Sequence, residues 1–116
     1  MPIGATNGDG LPAYVLTTSA TIDPSYSGLY MVTDASAATI VIPAPQNDGV
    51  RLTFMGQRAA DHIFSFTGAK LRTGTAASAT TATVDSAGPT TGSGITVVSA
   101  SGLWFVLSKV GTINYA

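Results

Sequence analysis

The sequence predicts an all-β fold: an antiparallel β-sandwich or small barrel, preceded by an extended N-terminal arm. Three observations lead there. Short β-branched and aromatic runs recur along the 116-residue chain, each bounded by Gly, Pro, Asn, Asp or Ser. No stretch sustains the apolar period of about 3.6 residues that marks an amphipathic helix. All six acidic residues are Asp, a turn former, and the helix former Glu does not occur.

The elements follow in order. Residues 1–13 carry the turn-like Asn7-Gly8-Asp9-Gly10 and few apolar anchors, so they are expected to form an arm outside a β-domain spanning 14–116. Tyr14–Ser19 reads as a strand. Ala20–Asp23 extends it until Pro24-Ser25-Tyr26-Ser27-Gly28 turns the chain. Leu29–Thr33 is the next strand, closed by Asp34-Ala35-Ser36. Thr39–Ile42 follows and stops at Pro43 and Pro45, which have no amide hydrogen to give a central ladder. A turn at Asn47-Asp48-Gly49 leads into Val50–Met55, where Val50, Leu52 and Phe54 alternate with Arg51, Thr53 and Met55. In Asp61–Phe66, alternation puts His62, Phe64 and Phe66 on one face. Residues 73–94 are mostly Thr, Ala, Ser and Gly and are expected to form a long loop or a weak edge ribbon. Ile95–Ser99 and Leu103–Ser108 read as a hairpin about Ser101-Gly102, followed by a short, partly apolar tail.

Composition narrows the function. Charged residues make up 9% of the chain, against about 25% in ordinary soluble domains. Thr, Ser, Ala and Gly fill half of it. A surface of hydroxyls and methyls suits a protein packed against copies of itself or a larger shell. It suits an enzyme poorly, because catalysis needs clustered ionisable groups. A net charge of −1 provides no electrostatic footprint for nucleic acid or an anionic membrane. The absence of cysteine excludes disulfides and thiolate metal sites. No apolar run approaches the ~18 residues of a membrane-spanning helix. Met1-Pro2-Ile3-Gly4 lacks the basic and apolar regions of a signal peptide.

The candidate chemistry is thin. Asp61-His62 and the many serines permit a Ser-His-Asp triad on paper, but there is no Gly-x-Ser-x-Gly elbow. A structural His62 is expected instead. The Asp residues sit near turns, where they cap backbone amides. Gly92-Ser93-Gly94 lacks the Lys-Ser/Thr of a phosphate loop. No catalytic residue, metal or cofactor is expected.

Several strands are apolar on both sides, whereas a half-solvated strand alternates. In Leu103–Ser108, Leu103, Phe105 and Leu107 form one face, and Trp104 and Val106 the other. Leu29–Val32 and Thr39–Ile42 behave alike. One face fills the domain's core and the second needs a cover. A subunit interface involving Trp104, Val106, Tyr30 and Val32 is the expected cover. The alternative is a cover supplied by residues 73–94 of the same chain. Tyr14, Tyr26, Tyr30, Trp104 and Tyr115 could stack on sugar rings where exposed; core or interface burial is the expectation for Trp104.

The stretch from Tyr14 to Gly111 resembles a β-domain of tailed-bacteriophage head decoration (cement) proteins and head fibres. The likeness is carried by Gly28-Leu29-Tyr30, by Ala38-Thr39-Ile40-Val41-Ile42-Pro43-Ala44-Pro45, by Gly49-Val50-Arg51-Leu52-Thr53-Phe54 and by Ser101-Gly102-Leu103-Trp104-Phe105-Val106. The resemblance implies a homotrimer on the capsid exterior, with the major capsid protein as partner and a bridging, non-enzymatic role. It also implies that the arm lies across a shell subunit or a neighbouring protomer, with Pro2, Ile3 and Leu11 as its contacts. The alternative function is a tail-fibre or adhesin module that binds host-surface glycans.

Overall fold

The structure is a computed structural model and describes residues 12–57, 60–68, 70–74, 79–85 and 92–116. Every regular element among them is a strand. In chain order these are β1 (Ala13–Leu16), β2 (Ala20–Thr21), β3 (Gly28–Val32), β4 (Thr39–Ile42), β5 (Arg51–Gly56) and β6 (Ile63–Phe66). Then come β7 (Leu71–Arg72), β8 (Thr81–Asp85), β9 (Gly94–Ala100), β10 (Leu103–Val110) and β11 (Thr112–Tyr115). They form two sheets. Sheet A has the order β1-β3-β5-β9-β10-β7, and sheet B the order β11-β8-β6-β4-β2. The all-β class and the two-sheet architecture are those expected.

Strand direction is mixed, which corrects the antiparallel expectation. From β1 to β6 the chain alternates between the sheets, and each strand lies parallel to the one two before it. A parallel pair needs a long crossover, usually a helix. Here a strand of the opposite sheet supplies it. The first half is therefore a short two-sheet coil. Its turns differ in length, since Ala13 pairs with Leu29 but Gly28 with Leu52. That is why no repeat of fixed period shows in the sequence. Antiparallel pairing begins where the later strands close the coil: β9 on β5, β8 on β6, β10 on β9 and β11 on β8.

Alternation sets the faces. Tyr30, Val32, Leu52, Phe54, Ile95 and Val97 of sheet A turn inward onto Ile40, Ile42, Phe64, Phe66, Ala82 and Val84 of sheet B. In-register positions stack their rings: Tyr14 on Tyr30 at 5.0 Å and Tyr30 on Phe54 at 5.5 Å. Phe54 meets Phe64 of the opposite sheet at 4.9 Å. Such pairs add about 0.5–1.5 kcal/mol each beyond the area they bury.

Two further corrections concern boundaries. Ala13, assigned to the arm by sequence, opens β1, and the carbonyl of Pro12 accepts the Leu29 amide at 2.8 Å. Residues 1–11, including Pro2, Ile3 and Leu11, lie outside the described residues. Within 73–94, β8 is no edge ribbon; it sits between β6 and β11 with Ala82 and Val84 fully buried. Thr81 and Thr83 alternate with them, and β-branched Thr suits a strand. The low complexity of the flanking sequence hides this four-residue alternation.

The β9–β10 hairpin forms as expected. Ala100 pairs with Leu103 across Ser101 (φ 53°) and Gly102 (φ 76°). Positive φ at both central residues is the type I′ pattern, which favours Asn-Gly over Ser-Gly. Ser101→Asn is expected to raise stability by about 0.5 kcal/mol, read as a higher urea midpoint at unchanged slope.

Candidate functional site

The inner and outer faces of β10 are reversed relative to the interface expectation. Trp104 is fully buried, and its Nε1 donates to the Pro43 carbonyl at 3.1 Å. Val32 is fully buried and Tyr30 retains 7% exposure. Val106 is half-buried and packs against the same core. These residues meet sheet B of their own chain. The expected interface of Trp104, Val106, Tyr30 and Val32 is therefore corrected: cover from within, including β8 of the 73–94 stretch, seals that face. Sequence alternation separates two faces but does not say which points inward.

The outer face of sheet A carries the apolar residues left over. Register places Val15, Met31 and Met55 in one row. A second row runs Arg51, Val98, Phe105 and Arg72. Between them lie Leu29, Thr53 and Thr96, the two hydroxyls 3.0 Å apart. Leu107 follows on the same face as Phe105, and the two are 52% and 38% exposed; the register of β10 on β9 shifts between Val106 and Ser108. The outer face of sheet B differs. Its rows run Thr21, Val41, Ser65, Thr81 and Thr39, Ile63, Thr83, Asn114. Apart from Val41 and Ile63, sheet B meets solvent through hydroxyls and the Asn114 amide, which hydrogen-bond water. Sheet A presents methyls, thioethers and an aromatic ring, which do not.

The ionisable residues do not converge. Asp23 and Asp34 each accept an amide two residues on, from Ser25 and Ser36, both at 2.9 Å. Asp48 accepts the Ser101 amide at 3.0 Å and ties its loop to the β9–β10 turn. These three cap turns, as their sequence positions predicted. No group of three or more His, Asp or Glu that could hold a metal exists among the described residues. No helix among them is long and apolar enough to cross a membrane. Asp9 and Arg58 lie outside the described residues.

His62 is a core residue, as expected from its neighbours Phe64 and Phe66. Its Nδ1 accepts the Ala38 amide at 3.1 Å, which puts the proton of the neutral ring on Nε2. Nε2 is buried without a hydrogen-bond partner among the described residues. Burial holds the imidazole below its usual range, against the opposing pull of Asp34 and Asp61. The ring is fully buried among the described residues.

No protein-family model matches the chain, and no curated protein matches it. Besides the sheet A face, one other surface stands out. A groove of about 400 Å3 opens at the β1 edge, with Tyr14, Ile22, Asp23, Tyr26 and Tyr30 in its walls. Of the aromatic candidates, Tyr14 is 43% and Tyr26 69% exposed, while Trp104 and Tyr30 belong to the core.

Proposed function

We propose that the protein is a non-enzymatic structural component of a tailed-phage virion. In this reading it decorates the capsid exterior as a homo-oligomer, a trimer by its resemblance, and stabilises the head by bridging capsid subunits. The observation that supports an assembly role is the asymmetry of the two outer faces. One sheet meets water mostly through Thr, Ser and Asn, with Val41 and Ile63 as the apolar members of its outer rows. The other presents Val15, Leu29, Met31, Met55, Val98 and Phe105, with Arg51 and Arg72 in the Phe105 row. Apolar faces of this kind, even when interrupted by hydroxyls, mark association surfaces. Simultaneous attachment of several protomers to one shell then multiplies modest contacts into high avidity.

Phe105→Lys changes an outward side chain and leaves the core intact. It is expected to convert the oligomer to monomer in sedimentation velocity, with an unchanged circular dichroism spectrum. A wild-type chain that sediments as a monomer at micromolar concentration would overturn the assembly reading. The virion reading is tested separately, by adding purified protein to shells that lack it. Saturable occupancy supports it; capture by bacterial polysaccharide with no shell occupancy favours the adhesin alternative. Deleting residues 1–11, which include Pro2, Ile3 and Leu11, is expected to lower shell occupancy while the β-domain stays folded.

A further inference from the structure

The groove at the β1 edge adjoins the face of sheet A through Val15, which belongs to both, but its other walls differ from that face in chemistry. It lies where the ring stack of the core reaches the edge of its sheet. Phe54 and Tyr30 are interior, and Tyr14 is the last ring of the stack, 5.0 Å from Tyr30 at an interplanar angle of 21°. Among the described residues β1 is the terminal strand of sheet A, and none of them forms a strand that extends the row beyond Tyr14. Tyr26, in the turn between β2 and β3, adds a second exposed ring.

Gly28 allows this placement. A Cβ there would lie 2.9 Å from Tyr14 Cε2, so a side chain at 28 would push the ring off its seat. The platform is thus held from below by Tyr30 and from the side by the bare backbone of Gly28. The polar groups of the groove are few and of one kind. Thr21 and Asp23 lie beside the rings, and Asp23 is fixed through its bond to the Ser25 amide at 2.9 Å. Burial, and then Tyr14 and Asp23, hold the Tyr30 phenol above its ordinary 10.0, so it stays protonated. Among the described residues, no Lys, Arg or His lines the groove.

We propose that this groove is a carbohydrate site that takes a neutral pyranose unit. A pyranose has an apolar C–H face and a rim of hydroxyls. The face suits an aromatic ring and the rim suits a carboxylate and hydroxyls. Among the described residues the only charged lining group is an acid, which disfavours phosphate, sulfate, carboxylate or nucleic-acid ligands. The volume of about 400 Å3 falls within the ~300–1,000 Å3 of small-molecule sites. The groove is built by residues of one protomer.

The test uses the isolated full-length chain and methyl pyranosides of glucose, galactose, mannose, rhamnose and N-acetylglucosamine at millimolar concentration. Saturation-transfer and amide-shift NMR are the readouts. At least one sugar is expected to shift amides within 13–30 and to receive saturation through its C–H face. Tyr26→Ala, at an exposed position outside the core stack, is expected to weaken binding about tenfold. Gly28→Ala keeps every polar group of the groove but displaces Tyr14, and is expected to weaken it by a similar factor. Thr112→Ala, on sheet B, serves as the control and should leave binding unchanged. The proposal is overturned if no sugar in the panel produces shifts, if the shifts map elsewhere, or if Tyr26→Ala and Gly28→Ala bind as the wild type does.

Discussion

Trp104→Ala is expected to lose about 3–5 kcal/mol of folding stability, enough to unfold a domain whose total is of order 5–15 kcal/mol. Two effects combine. The indole is fully enclosed between the sheets, so truncation leaves a large cavity. The Pro43 carbonyl also loses its 3.1 Å donor. Trp104→Phe separates the two. It keeps most of the ring volume but leaves Pro43 without the indole N–H, for an expected loss of about 1–3 kcal/mol. Urea unfolding followed by circular dichroism measures both. If Trp104 were an interface residue, Trp104→Ala would dissociate the oligomer and leave a folded protomer with an unchanged urea midpoint at low concentration. The burial argument fails on that outcome.

The second large effect is acid lability through His62. Its folded pKa is depressed relative to the unfolded value near 6.5, mainly by burial. The unfolded chain therefore binds a proton more readily than the native one. Native stability is complete above about pH 6.5 and declines as pH falls from there through the depressed folded value. Protonation adds a hydrogen at Nδ1, the atom that accepts the Ala38 amide, so two donors then face each other inside the core. His62→Asn offers an oxygen near the Nδ1 position and cannot titrate in this range. It is expected to be less stable at pH 7 yet to flatten the decline between pH 6.5 and 4.5. Urea midpoints across that range test the assignment. A wild-type decline that persists unchanged in His62→Asn would place the acid-sensitive group elsewhere.

The sequence by itself determined a good deal. Alternation in Val50–Met55 and Asp61–Phe66 identified the strands that form β5 and β6 and the residues that share a face in each, Leu52 with Phe54 and Phe64 with Phe66. Pro43 marked the end of β4, and Ser101-Gly102 the β9–β10 turn. The core position of His62 also followed from its neighbours. These features are local: a period of two, a missing amide hydrogen and a tolerance for positive φ belong to a few adjacent residues. The excess of apolar strand faces over what one core needs was likewise visible in composition and pattern.

Tertiary structure decided the rest, because it depends on which strands meet. The turn between Val32 and Thr39 looks the same in sequence whether the chain doubles back or crosses to the other sheet; only pairing made β3 parallel to β5. Pairing also drew β8 out of a low-complexity stretch, since Ala82 and Val84 become core only when β6 and β11 flank them. It likewise turned Trp104 inward and Phe105 outward. Either choice satisfies the alternation of a strand that is apolar on both sides, and what selects one is the opposite sheet, which encloses the larger indole and supplies the Pro43 carbonyl for its N–H.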